Sequence, residues 1–205
     1  MVDRLFWIFC LFFANLLFQI KLKRVSTTAI PSQAIFIANH VSSLDWLIIK
    51  AFLNVNLSFI AHHTFFNLPL LGKFMKLTKC IPIGPELHVV RKSFKMIHKH
   101  LSTGRSICIF PEGGLTPDGS LQKFKPGIHR IIDKHQDISV VPLTLSYLWD
   151  THWSIQNGWF WQKPIQRLRP TIEITIGEPI SIEVYTKIEN KDLYLYHLIK
   201  KHHKP

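Results

Sequence analysis

Asn39-His40-Val41-Ser42-Ser43-Leu44-Asp45 sets an imidazole and a carboxylate five positions apart, directly after the apolar run Ala34–Ala38. On one helix, positions five apart point about 140° away from each other, so contact between His40 and Asp45 requires the chain between them to turn. Ser42 or Ser43 as a helix N-cap would supply that turn and leave Asp45 in the first helical turn, where the helix dipole favours a carboxylate. The pair then has the logic of a general base oriented and charge-stabilised by an acid. It contains no nucleophilic side chain, so the attacking group would be a hydroxyl of the substrate. On these residues alone, a helix start carrying an incidental histidine is an equal alternative.

A second block, Phe110-Pro111-Glu112-Gly113-Gly114-Leu115-Thr116, follows another apolar run, Ser106–Phe110. Paired glycines after a strand let backbone N–H groups approach a ligand closely, which suits a phosphate or a developing oxyanion, although Gly-Gly by itself more often marks a turn. Both blocks fall where open α/β sheets build their sites, at the carboxyl ends of buried strands.

The elements that must hold these blocks are legible past residue 25. Short apolar runs at Ala34–Ala38, Leu57–Ala61, Cys80–Ile83, Ser106–Phe110 and Ser139–Leu145 alternate with helical stretches at Ser43–Asn54, around Phe65–Leu77 and at Glu86–Leu101. Near-continuous apolar strands are buried on both faces, so the expected fold is α/β, a mostly parallel central sheet flanked by helices. Val90, Phe94, Ile97 and Leu101 mark one buried helical face. Thr171–Ile176 alternates as a late, half-exposed strand, and Asn190–Lys201 reads as a closing helix.

Before the sheet, Leu5–Ile20 carries no charge and is followed by Lys21, Lys23 and Arg24. As a helix it reaches about 24 Å, short of the ~30 Å hydrocarbon core, which suits a half-buried arm or a locally thinned span, with a plain buried core helix as the alternative. Residues 1–24 are therefore expected to be an N-terminal membrane-anchoring segment and residues 25–205 the single domain. The trailing cations place that domain on the cytosolic side, and their position behind the apolar run argues against a cleaved signal peptide.

Composition narrows the partners. The 205 residues are 47% hydrophobic and 19% charged, with mean hydropathy +0.13, which excludes a disordered or collagen-like chain. Twenty-five Lys and Arg against 13 Asp and Glu leave a net charge of +12, favouring an anionic partner. No recognisable nucleic-acid-binding motif accompanies it. Arg91, Lys95 and Lys99 repeat every four residues opposite the apolar helix face, fit to dock an acidic carrier or anionic lipid or simply to be solvated. Trp149, Trp153, Trp159, Phe160 and Trp161 could anchor at an interface, close over an acyl chain, or pack. Cys10, Cys80 and Cys108 have no metal-site spacing and are expected as reduced, buried thiols. His62-His63 and His202-His203 lack second ligands and read as surface or terminal residues, so no metal is expected.

Taken together, NHVSSLD and FPEGG, the latter followed by DGSLQKFKPG, resemble the N-H-x4-D and F-P-E-G blocks of the glycerolipid (PlsC-like) acyltransferase family, which includes 1-acylglycerol-3-phosphate acyltransferases. IPIG at 81–84 and VVPLTL at 140–145 extend the resemblance to roughly residues 30–180. It implies acyl transfer from acyl-CoA or acyl-acyl-carrier-protein, as donor substrate with no cofactor, to the free hydroxyl of a lysophospholipid. It also implies a domain held against the bilayer on the cytoplasmic face of the membrane, the inner membrane in a bacterium. His40 would be the base, Asp45 its orienting partner, and Glu112, Gly113 and Gly114 the acceptor-binding block.

Two departures bear on the acceptor. The family's third block usually reads E-G-T-R, where this chain has Gly114 and Leu115, and its second block usually carries an arginine near Pro85. Arg91, Lys123 and Lys125 could replace the missing guanidinium contacts. Lysophosphatidic acid is the expected acceptor. Lysophosphatidylethanolamine is the alternative, because IPIGP, DGSLQK and LWDTHW look more like acyltransferase domains of lysophosphatidylethanolamine recycling. A thioesterase and a catalytically degenerate membrane-surface scaffold are the remaining readings.

Overall fold

The computed structural model describes residues 2–135, 137–156, 158, 162 and 169–205. The apolar runs become β2 (Ile35–Ala38), β3 (Leu57–His62), β4 (Ile81–Ile83), β5 (Ser106–Ile109) and β6 (Val140–Ser146), joined by β1 (Gln19–Arg24) and β7 (Thr171–Ile176). Among the described residues they form one sheet in the order β1-β7-β6-β2-β5-β3-β4. Every neighbouring pair is parallel except β6 and β7. The expected mostly parallel α/β sheet is present, and its parallel core turns the carboxyl ends of β2, β3, β4, β5 and β6 toward one edge.

Alternate side chains of the central strands enter two separate cores. Phe36, Ala38, Cys108, Val141 and Leu143 pack on one face with Ile48 and Ile49 of α2 (Asp45–Phe52). Ile35, Ile37, Ile107, Ile109 and Val140 pack on the other with α4 (Leu87–Ser102), α5 (Gly127–Ile132), α6 (Ile182–Thr186) and α7 (Lys191–Lys200). Burial on both faces is why these strands show no polar alternation. On α4 the buried stripe is Ser93, Ile97 and Leu101, whereas Val90 and Phe94 are only half-buried.

The amino-terminal segment, expected as a membrane anchor, packs on the domain along one face. Helix α1 (Val2–Leu17) lays Phe6, Cys10 and Ala14 on Leu47 and Ala51 of α2, and Trp7 Nε1 donates to Ala51 O at 3.1 Å. Asp3 receives both ends of the Arg105 guanidinium at 2.9 and 3.0 Å, and this forked contact holds its carboxyl below the usual range. After α1, Phe18 is fully buried and Gln19–Arg24 pairs with Thr171–Ile176. A boundary at residue 24 would therefore remove a strand from the sheet. Lys21, Lys23 and Arg24 are exposed on this edge strand, where charge discourages pairing with other chains. No helix among the described residues is long and apolar enough to cross a membrane.

The outward face of α1 exposes Leu5, Ile8, Phe9, Phe12 and Leu16. Beside it lies α3 (Pro69–Leu77), whose Phe74 ring meets Phe6 and Phe9 with centroids 5.7 and 6.5 Å apart. Phe65, Leu68, Leu70 and Leu77 around α3 are exposed as well.

Candidate active site

The chain leaves β2 at Asn39, whose side chain is almost fully buried and bridges to β6: its Oδ1 accepts from Leu145 N at 2.8 Å and its Nδ2 donates to Leu145 O at 2.9 Å. This anchor sets His40 at the sheet edge. Asp45 opens α2, and its Oδ2 accepts from Val41 N at 2.7 Å, Ser42 N at 3.0 Å and His40 Nδ1 at 2.7 Å. The turn thus closes on the aspartate itself. Leu44 occupies the N-cap position with no side-chain cap, so neither Ser42 nor Ser43 caps α2 as expected. Ser42 Oγ instead accepts from Leu44 N at 3.1 Å and donates to Trp153 O at 2.5 Å.

Because Asp45 Oδ2 already accepts two backbone N–H groups, His40 Nδ1 is the donor toward it and the lone pair lies on Nε2. Asp45 is fully buried while the His40 side chain is 23% exposed, so the base can meet a substrate and its partner cannot. The Phe110 ring stacks on the imidazole at 4.1 Å between centroids and 15° between planes, which fixes the ring's tilt.

The Gly-Gly block wraps around the same histidine. Glu112 Oε1 accepts from His40 N and Oε2 from Gln122 N, both at 2.7 Å, and Thr116 N donates to His40 O at 2.9 Å. Glu112 was expected to contact the acceptor. Each of its oxygens accepts from a backbone amide, so it also acts as a clasp between the two motif blocks. Burial pushes its carboxyl up to about 7, against the pull of the two N–H donors. Asp118 Oδ1 gathers Thr116 Oγ1, Ser120 N, Ser120 Oγ and Gln122 Nε2 at 2.7 to 3.1 Å, which knots the following loop.

Gly113 has φ +76°, and a Cβ there would lie 3.1 Å from Lys125 Cγ, so the Lys125 stem runs over the block. At Gly114 a Cβ would meet nothing within 4 Å, which leaves its backbone approachable. Arg91 stands apart on α4, lining a groove of about 510 Å³ with Leu87, His88, Lys92 and Lys95. Lys123 is exposed on the loop before Lys125. Trp149 is buried beneath Gly119, and Trp153 packs edge-on to Phe18 at 6.2 Å, so both serve packing; Trp159, Phe160 and Trp161 lie outside the described residues. His203 is not a surface residue: its Nε2 meets Gly119 O at 2.8 Å and its Nδ1 meets Asn39 Nδ2 at 3.3 Å. Phe110 and Asn39 were within the quoted motifs but without a role; for His203 no sequence signal existed.

The chain is 31% identical over 115 residues to the chloroplastic 1-acyl-sn-glycerol-3-phosphate acyltransferase of Arabidopsis thaliana, a match covering 55% of this chain and 31% of that protein. It is 32% identical over 133 residues to a probable 1-acyl-sn-glycerol-3-phosphate acyltransferase of Mycoplasma pneumoniae, covering 62% and 49%. It is 26% identical over 178 residues to the Limnanthes douglasii enzyme of the same name, covering 83% and 58%. The chain thus spans about a third to three-fifths of the length of these relatives. The crystal structure of the 1-acyl-sn-glycerophosphate acyltransferase PlsC from Thermotoga maritima shares the fold, with a TM-score of 0.74 at 20% identity over 97% of this chain and 77% of that one. The sequence model of the Acyltransferase family matches residues 21–146, more than half of the chain and both motif blocks, and the protein belongs to that family.

Proposed function

We propose that this chain is an O-acyltransferase that moves a fatty acyl group from an acyl thioester to the free hydroxyl of lysophosphatidic acid, giving phosphatidic acid. The observation that carries the reading is the His40–Asp45 pair: an oriented imidazole with Nε2 open and no nucleophilic side chain in the pair. As the acceptor hydroxyl attacks the thioester carbonyl, its proton passes to His40 Nε2 and the imidazolium is stabilised by Asp45. The tetrahedral intermediate collapses by breaking the C–S bond, and the departing thiolate takes the proton back from His40. Each turnover forms one ester, releases one thiol and leaves the pair as it began.

The relatives are named 1-acyl-sn-glycerol-3-phosphate acyltransferases, the Mycoplasma pneumoniae one as probable, which supports this acceptor, and Lys125 beside Gly113 offers a cation for its phosphate. The adjacent apolar faces of α1 and α3, with exposed Lys73, Lys76 and Lys79, support a domain lying on the anionic cytoplasmic face of a bilayer. Incubating purified protein with labelled acyl-CoA or acyl-acyl-carrier-protein and a lysophospholipid panel in mixed micelles tests the reading. Labelled phosphatidic acid is expected. Transfer confined to lysophosphatidylethanolamine would replace the acceptor, and free fatty acid formed at the same rate without lysolipid would make the chain a thioesterase.

A further inference from the structure

Asn39 of the first motif block and Gly119, in the loop that follows the second, are joined by a residue outside both blocks. Asn39 Oδ1 is committed to Leu145 N, so the Asn39 group facing His203 is the amide nitrogen, which donates. Gly119 O can only accept. The ring of His203 therefore carries its proton on Nε2 and offers the Nδ1 lone pair to Asn39, which requires it to be neutral. Burial is the main cause holding its pKa below the ordinary histidine value, with the Lys200 ammonium adding to it.

The ring position is built into the fold. Ser146 Oγ donates to His202 O at 2.9 Å, Tyr147 N to Lys204 O at 2.9 Å and His203 N to Ile199 O at 3.0 Å, fixing the segment at the end of β6. From the ring, both paths end at His40. One runs through Asn39, the residue before it. The other runs through Gly119 and the Asp118 knot to Thr116 N, which holds His40 O, and to Gln122 N, which holds Glu112 and through it His40 N. Gly119 cannot give way downward, since a Cβ there would lie 2.6 Å from the Trp149 ring.

We propose that His203 is a positioning residue for the acyl transfer assigned above: it braces the Asp118-Gly119 loop against Asn39 and so sets the aim of His40 Nε2. A displacement of about 1 Å at a reacting group costs on the order of 10²-fold in rate, so a brace at this point acts on turnover more than on substrate binding.

The test uses His203→Ala and His203→Gln, since a glutamine amide can donate to Gly119 O and accept from Asn39 Nδ2. With the acyl-transfer reading correct, His203→Ala should lower kcat roughly 10- to 100-fold per folded molecule while KM for both substrates stays within about twofold. His203→Gln should recover most of the loss. The ¹⁵N signals of the His40 ring should move in the alanine variant and return in the glutamine variant, a readout that needs no turnover. If wild type transfers no acyl group yet those signals behave as stated, the reaction assignment falls and the brace stands. Unchanged kcat per folded alanine variant, no recovery with glutamine, or stationary His40 signals would each overturn it. Should the alanine variant not fold, the wild-type ring decides: a neutral Nε2–H form of His203 at neutral pH supports the brace, and an Nδ1–H or doubly protonated ring refutes it.

Discussion

The carboxyl ends of β2 and β4 lie on the same edge of one mostly parallel sheet, three strand positions apart, and they are built in opposite ways. At β2, Asp45 Oδ2 takes three donors, Glu112 takes two, and both backbone polar groups of His40 are held. At β4, Gly84-Pro85 leads into Glu86, Leu87, His88, Arg91 and Lys92, exposed side chains of which Glu86 meets His63 at 3.7 Å. Chemistry needs one geometry, and a dense buried network provides it at the cost of desolvating charges. Recognition of a lipid headgroup or surface tolerates many geometries, and solvated cations provide it. Removing one group at β2 should therefore act on kcat, and removing one group at β4 on KM.

The largest effect is expected at His40. His40→Ala should lower transfer by about 10² to 10⁴, measured as labelled product per folded molecule, because the acceptor hydroxyl loses its base. Asp45→Asn sharpens the point. Asp45 Oδ1 has no hydrogen-bond partner among the described residues, so an asparagine can place its NH₂ there and keep its oxygen toward Val41 N, Ser42 N and His40 Nδ1. Those two backbone N–H groups oppose a flip, so geometry survives and what is lost is the charge that stabilises the imidazolium. A loss of roughly 10² with an unchanged melting temperature is expected. Near wild-type turnover in either variant would break the contrast at its strongest point.

Glu112 measures what the dense network costs. Its folded pKa of about 7 stands above the ordinary 4.5, so between those values the folded chain keeps a proton that the unfolded chain has released. The group's stabilising contribution is complete below the unfolded value and is lost as pH rises through about 7. The full change is on the order of 3 kcal/mol. Glu112→Gln should flatten this slope while weakening one of the two backbone contacts, since one of its terminal atoms now donates. Urea midpoints measured from pH 5 to pH 8 check it: wild type should lose more stability across that range than the variant, and parallel curves would mean that the buried charge carries no penalty.

Why some of this was legible and some not follows from contact range. Strands β2, β5 and β6 are buried on both faces, so composition alone exposes them, and His40 with Asp45 is a local pair whose spacing already demands a turn. Strand β1 is solvent-facing, Gln-Ile-Lys-Leu-Lys-Arg, and is a strand only because Thr171–Ile176 lies beside it. The spacing of Ser42 and Ser43 ahead of the helix reads as a cap, but only the folded turn shows that Asp45 takes the Val41 and Ser42 N–H groups itself. Glu112 reads as a ligand-facing acid until its two amides are seen, one of them 72 positions away. Asn39 and His203 are 164 positions apart, beyond any spacing rule.

Smaller effects are expected on the cationic side. Lys125→Ala should raise the KM for lysophosphatidic acid several-fold, as one ammonium contact with a phosphate is worth about 1 kcal/mol or somewhat more where partly desolvated. Arg91→Ala should raise it less, because Arg91 lies in the α4 groove while the Lys125 stem crosses Gly113. Neither change should lower kcat at saturation. Equal and large kcat losses would show that these cations belong to the dense network after all, and the contrast between buried network and solvated cations would fail.

The smallest effect per residue is expected on the apolar face of α1 and α3, where area rather than geometry acts. Leu70 is 83% exposed and Phe12 63%, so a charge at either position removes little packing from the folded chain, at Phe12 chiefly the edge-on contact with Phe13. Taking one such side chain from an interface forfeits about 1 to 2 kcal/mol, since insertion at the headgroup boundary is partial. Leu70→Glu or Phe12→Glu should therefore lower co-sedimentation with anionic vesicles by roughly tenfold, leave the melting temperature unchanged and leave kcat intact on short-chain acceptor dissolved below its micellar concentration. The two together should act additively, because they sit on different helices and share no partner. Retention of vesicle binding in the double variant would remove α1 and α3 from the membrane contact and leave the Lys73, Lys76 and Lys79 charges to be tested by salt dependence.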